Sequence, residues 1–168
     1  AKKVAKMLKG FDCDILYYDV FRLPEETEKE MGVRFASLEE LMSRSDVVSI
    51  HCPLLESTKG MINAALIGKM KSSAILINTA RGGVVDEQSL AQALREKKIR
   101  GAGIDSYTVE PIPADHPFLS LDNCVLTSHN GGGVIDNVVP VTRHAFENIQ
   151  KFSLGIAMDP RDVIVPRK

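Results

Sequence analysis

Residues 72–98, SSAILINTARGGVVDEQSLAQALREKK, join a short apolar run to a Gly-rich corner and then to a stretch with helical periodicity. AILINT (74–79) is aliphatic almost throughout, as expected of a strand covered on both faces. In DEQSLAQALREKK (86–98), Asp86 opens the helix, while Leu90, Ala93 and Leu94 share one face. Glu87 and the closing lysines complement the helix dipole. A strand feeding a helix through a tight turn is the building unit of an α/β sheet protein. Arg81 stands on that turn, where a side chain emerges at the carboxyl edge of the sheet.

The same alternation extends in both directions. DILYYD (14–19), DVVSIH (46–51), AGIDSY (102–107) and CVLTSH (124–129) read as further strands. SLEELMSRS (37–45) reads as a helix with Ser37 as N-cap and Glu40 completing a capping box. The pattern predicts an α/β fold with an open, mostly parallel sheet and ligands beyond the carboxyl ends of its strands. AKKVAKML (1–8) places Val4, Met7 and Leu8 on one helical face, with Gly10 as its expected stop. A βαβ nucleotide-binding unit has a strand and a Gly-rich phosphate turn before such a helix. Neither precedes this one, so the sheet is expected to be incomplete at its N-terminus and the chain truncated, although an initial Ala is also compatible with removal of a starting Met.

Bulk properties narrow the function. The 168 residues are 44% hydrophobic and 26% charged, enough for one ordinary domain with a core. A net charge of −1 gives no footprint for nucleic acid or a membrane surface. Cys13, Cys52 and Cys124 are odd in number and widely spaced, which predicts a reducing compartment, the cytoplasm, and neither a disulfide frame nor structural zinc. Neither a signal-peptide core nor an apolar run of membrane-spanning length occurs.

Several residues carry chemistry at predicted strand ends. Asp19 can accept hydrogen bonds from both hydroxyls of an adenosine ribose, favouring NAD, or can simply start a turn. Arg22 can instead meet a 2′-phosphate, which keeps NADP open. Arg81, Glu110 and His129 follow or end three different strands, so a parallel sheet brings them to one edge. Singly, they read as a solvated loop residue, a turn residue before Pro111, and a capping or core histidine. His51 and Cys52 before Pro53 lack a spaced ligand set or an evident base and read as strand-end packing. His144 and Glu147 have a metal-like helical spacing without further ligands, so no metal is expected.

INTARGGVVDEQSLAQAL (77–94), GAGIDSYTVEP (101–111) and NCVLTSHNGGG (123–133) together resemble the signature blocks of the D-isomer-specific 2-hydroxyacid dehydrogenases. VVSIHCPLLESTKGMIN (47–63) resembles the block before them. The resemblance implies a Rossmann-like doubly wound fold. Residues 1–131 would form the nucleotide-binding domain, without its first strand and Gly-rich turn, and 132–168 a C-terminal helix and tail returning to a substrate domain. It implies NAD as cofactor and interconversion of a 2-keto acid and a D-2-hydroxy acid, in a cytoplasmic homodimer. Arg81, Glu110 and His129 would be catalytic. Asp19, Cys52, Pro53, Thr79 and Ala80 would line the cofactor, together with Arg81, Asp105, His129 and Gly131. Asp105 would hold the nicotinamide carboxamide.

The chemistry fits these roles. Oxidising a 2-hydroxy acid removes the hydroxyl proton as hydride leaves the same carbon, and a histidine can take that proton near neutral pH. A carboxylate partner orients the ring and favours its charged form. Arginine offers a fixed fork to a carboxylate and to charge developing on oxygen. The glycines of the turn are expected to let the backbone approach cofactor and substrate. Formate is a poor substrate guess, because Glu110 stands where related formate dehydrogenases have Gln. The missing N-terminal half predicts that the chain alone is inactive, and that the apolar face of the last helix, with Phe146, Ile149 and Phe152, is exposed or reused between subunits. The rival expectation is a non-catalytic, dehydrogenase-like module that senses nucleotide or scaffolds a partner.

Overall fold

The computed structural model describes residues 1–163 and divides into two units, one from Ala1 to Ser128 and one from His129 onward. In the first unit the elements run α1 (Lys2–Leu8), β1 (Ile15–Tyr17), α2 (Glu25–Met31), β2 (Val33–Phe35), α3 (Leu38–Arg44), β3 (Val47–Ile50), α4 (Ala64–Ile67), β4 (Ile75–Asn78), α5 (Glu87–Arg95), β5 (Gly101–Ile104) and β6 (Cys124–Leu126). Strands β3, β4, β5 and β6 form a parallel sheet in that order, with Leu76 paired to Val48 and Ala102. A separate parallel pair joins β1 to β2. The expected mixture of strands and helices is therefore present, but the hydrogen-bonded sheet is divided between β1 and β3 rather than continuous.

The five anticipated strands are all found, each shorter than expected, although β5 begins one residue earlier at Gly101 and β6 keeps its expected start at Cys124. β2, α2 and α4 were not anticipated. Gly10 does not stop α1: it lies within the 3-10 turn Lys9–Phe11, and Asp12, at φ 50°, adopts the left-handed conformation instead. Only half of the capping box of α3 forms. Ser37 accepts the Glu40 N–H at 3.2 Å, while the Glu40 carboxylate pairs with Arg44 one turn on.

The core lies around β4 and α5. Leu76, Val84, Leu90, Leu94, Ile99 and Phe118 are fully buried, and removing such side chains from water is worth about 1.5–3 kcal/mol each. The helix that delivers Leu90 and Leu94 is capped as its sequence requires: Asp86 accepts the Ser89 N–H at 3.1 Å and the Ser89 hydroxyl at 2.8 Å.

The second unit contains α6 (Ile135–Ser153), with Pro140 near its start. Phe146, Ile149 and Phe152 are exposed on it. His144 Nε2 meets Asp162 Oδ1 of the following turn at 2.9 Å. Most of the anticipated returning tail, residues 164–168, lies outside the described residues.

Candidate active site

Arg81 follows β4 by three residues, and the turn that carries it is secured from beneath by Asn78. Asn78 is buried at the last position of the strand. Its side-chain amide donates to the Arg81 carbonyl at 2.9 Å, and its oxygen accepts the Ala80 N–H at 3.1 Å. One side chain thus satisfies both ends of the turn, so Thr79, Ala80 and Arg81 are presented in a fixed order. Thr79 and Arg81 are exposed and Ala80 is half-buried. The guanidinium of Arg81 folds back so that Nη1 donates to the Ala80 carbonyl at 2.7 Å.

Gly82 brings this turn against the loop after β5. A Cβ there would lie 2.0 Å from the Tyr107 carbonyl carbon and 2.3 Å from the Thr108 nitrogen, so only glycine fits without displacing backbone. The close approach that Gly82 permits is to the protein's own backbone, a contact not anticipated from sequence.

A second strap crosses the same junction. Glu87, the first residue of α5, accepts the Thr108 N–H at 2.8 Å through Oε1, and its Oε2 faces His116 Nε2 at 3.3 Å. His116 Nδ1 accepts the Phe118 N–H at 3.3 Å. That bond leaves Nε2 as the protonated nitrogen of a neutral ring, donating to Glu87. The side chains of Glu87 and His116 are only 13% and 10% exposed, so this bond is shielded from water. Glu110 closes the loop: its Oε1 accepts the Tyr107 N–H at 2.9 Å. Glu110 itself is exposed, and the Tyr107 hydroxyl beneath it donates to the Thr127 carbonyl at 2.8 Å. The Arg81 turn and the loop after β5 are thus joined at two places, by the close approach of Gly82 to Tyr107 and Thr108 and by the bond from Thr108 to Glu87, while Glu110 closes that loop on itself.

Asp105, just past β5, is buried and accepts the Thr127 hydroxyl at 2.6 Å. Asp19, two residues past β1, is exposed and accepts the Phe21 N–H at 3.0 Å through Oδ1. The turn-starting role is therefore real, and it leaves Oδ2 for another donor. Cys52 is half-buried, and burial, followed by the Asp19 carboxylate, pushes its thiol upward. Burial drives the Cys124 thiol further, to about 11. Neither is a thiolate at neutral pH, which suits packing rather than nucleophilic attack. Pro53 accepts the Thr58 hydroxyl at 2.7 Å through its carbonyl. His51 Nε2 meets Ser49 Oγ at 2.9 Å.

His129 and Gly131 belong to the second unit. His129, three residues past β6, has φ 57°, a left-handed conformation that histidine adopts more readily than branched residues. Among the described residues, no group of three or more His, Cys, Asp and Glu side chains could hold a metal ion.

The donor set at the carboxyl ends of the strands fits a dinucleotide. Asp19 offers a carboxylate to ribose hydroxyls, and Asp105 a buried carboxylate suited to an amide. The residues that lock the turn were not singled out from sequence for this work. Asn78 was legible as an Asx residue before a Gly-rich corner, whereas the Glu87 contacts lie 21 and 29 residues away along the chain and leave no local signal.

A family model described as D-isomer specific 2-hydroxyacid dehydrogenase, NAD binding domain, matches residues 1–131. A glyoxylate reductase of Korarchaeum cryptofilum is 45% identical over 152 residues, 90% of this chain and 46% of that protein. A formate dehydrogenase of Chaetomium thermophilum is 48% identical over 124 residues, 73% of this chain and 34% of that protein. The crystal structure of apo D-mandelate dehydrogenase from Rhodotorula graminis matches with a TM-score of 0.82 at 35% identity, covering 90% of this chain and 44% of that one. The chain thus spans less than half the length of each of these three relatives. Its match across the whole of residues 1–131 means that the chain belongs to the D-isomer specific 2-hydroxyacid dehydrogenase family, through that family's NAD-binding domain.

Proposed function

We propose that the protein carrying this chain is an NAD-dependent oxidoreductase that interconverts a 2-keto acid and a D-2-hydroxy acid. The observation that carries the reading is the joining of the Arg81 turn to the loop of Glu110, through the close approach of Gly82 to Tyr107 and the Thr108–Glu87 bond, which positions two exposed ionisable groups. Residues 1–131 form the nucleotide-binding domain, and 132–168 return to a substrate domain.

Bound NAD supplies the hydride acceptor. Arg81 pairs its guanidinium with the substrate carboxylate and stabilises charge developing on the reacting oxygen. His129 takes the proton from the hydroxyl during oxidation and returns it to the carbonyl oxygen during reduction. Glu110 orients the imidazole and favours its charged form. Asp19 accepts from the adenosine ribose, Asp105 holds the nicotinamide carboxamide, and Cys52, Pro53, Thr79, Ala80 and Gly131 line the cofactor. A carboxylate at 110 supports proton transfer and hence a hydroxy acid rather than formate, although relatives named for both substrates are similarly close.

The free thiols support a cytoplasmic location, and exposed Phe146, Ile149 and Phe152 support a homodimer. Among the described residues, no helix is long and apolar enough to cross a membrane.

The test is loss of NADH absorbance by the full-length protein with glyoxylate, hydroxypyruvate or pyruvate, and gain of it with formate and NAD. Turnover of a 2-keto acid is expected. Turnover of formate alone would replace the substrate class, and NADH binding without any turnover would favour a nucleotide-sensing or scaffolding module.

A further inference from the structure

The loop after β1 contains a cation that the cofactor reading leaves unused. Arg22 lies three residues beyond Asp19, where a guanidinium can meet the 2′-phosphate that distinguishes NADP from NAD. In the structure that guanidinium is already engaged. Arg22 Nε donates to Glu28 Oε1 at 2.9 Å and Nη2 to Glu28 Oε2 at 3.1 Å, a two-bond fork. The guanidinium carbon also lies 5.3 Å from the centre of the Phe35 ring.

Glu28 is itself held firmly. It is 8% exposed, and the Tyr17 hydroxyl donates to its Oε1 at 2.7 Å. The same hydroxyl accepts the Leu23 N–H at 2.8 Å, tying the far end of the loop to the pair. The Arg22 guanidinium, then the Tyr17 hydroxyl, hold the Glu28 carboxyl below the usual carboxylate range, so it stays ionised near neutral pH.

We propose that Glu28 is a determinant of cofactor selectivity, withholding the Arg22 guanidinium from the 2′-phosphate of NADP while Asp19 remains available to the ribose of NAD. The proposal rests on the dinucleotide reading of this domain. Its physical content is competition: a 2′-phosphate must break a two-bond pair whose carboxylate is buried and then lie beside the carboxylate it displaced, whereas an unmodified ribose disturbs neither.

Binding of NADH and NADPH to the full-length protein by titration calorimetry tests this without reference to turnover. In Glu28→Gln the NADPH affinity is expected to rise about tenfold, the equivalent of one charge-assisted hydrogen bond, with NADH affinity unchanged. The gain should vanish in Glu28→Gln/Arg22→Ala and shrink in about 0.5 M salt, which screens the phosphate contact. Arg22→Ala alone leaves the carboxylate in place and should not weaken NADPH binding. NADPH affinity that is unmoved in Glu28→Gln, that rises equally for NADH, or that falls in Arg22→Ala overturns the proposal while leaving the dinucleotide reading intact. Failure of both dinucleotides to bind overturns that reading and the proposal together.

Discussion

Around β4 and α5, Leu76, Leu90, Leu94, Ile99 and Phe118 are at most 1% exposed, whereas every residue of β1 is only half-buried and its neighbour α2 buries a glutamate. The two parallel sheets are thus held by different forces. Apolar burial dominates the four-stranded sheet, whereas the two-stranded one adds to a small apolar contact, of Val33 and the Tyr17–Phe35 rings, the hydrogen-bonded group of Tyr17, Arg22 and Glu28. The difference matches what each sheet carries. The loops after β4 and β5, to which the proposed function assigns Arg81 and Glu110, stand on fully buried apolar side chains, while the loop after β1, to which the proposal assigns cofactor selectivity, is tied by the Arg22–Glu28 pair.

The contrast can be broken by substitution. Phe118→Ala should have the largest effect on stability, about 3–5 kcal/mol, because a fully buried ring is removed from the core. Urea denaturation measures this, and a loss below about 1 kcal/mol would deny that apolar burial dominates there. Asp86→Ala removes the cap of α5 and should cost about 0.5–2 kcal/mol at neutral pH. Its sign with pH follows from the direction of the shift. The Ser89 N–H and hydroxyl lower the folded Asp86 carboxyl, so its contribution is present above the unfolded value of about 3.9 and is lost as pH falls through the folded one. The penalty of Asp86→Ala should accordingly shrink in acid, and a penalty independent of pH would contradict the ionic cap.

In the smaller sheet, Tyr17→Phe removes the donor to Glu28 and the acceptor for Leu23 N–H, and should cost about 1 kcal/mol. A cost matching that of Phe118→Ala would erase the distinction between the sheets. The smallest effect is expected from Arg44→Ala on α3, whose pairing with Glu40 is solvent-exposed and worth less than about 0.5 kcal/mol.

How much of this was legible in the sequence follows the same division. The strands and helix of the larger sheet announce themselves by aliphatic runs and by Leu90, Ala93 and Leu94 on one face. VRF (33–35) is too short and too charged to show alternation, and EETEKEM (25–31) has no apolar stripe. α2 is marked instead by the acidic residues of its first turn, Glu25, Glu26 and Glu28, the last of which is satisfied only by residues six and eleven positions away. At the candidate site, Arg81, Glu110 and His129 stood out through motif order. The devices that position the first two did not, because the pairing of Glu87 with Thr108 and His116, and the crowding of Gly82 by Tyr107, are contacts made only by folding.

The measurement that tests the account most directly is kcat/KM of the full-length protein and its His129→Ala variant on the best 2-keto acid substrate, with NADH affinity measured in parallel. The account predicts a fall on the order of 10²–10⁴-fold with NADH affinity nearly unchanged, as expected when a general acid is removed. Turnover within about twofold of the parent, with the same pH profile, would contradict the assignment of acid–base chemistry to His129.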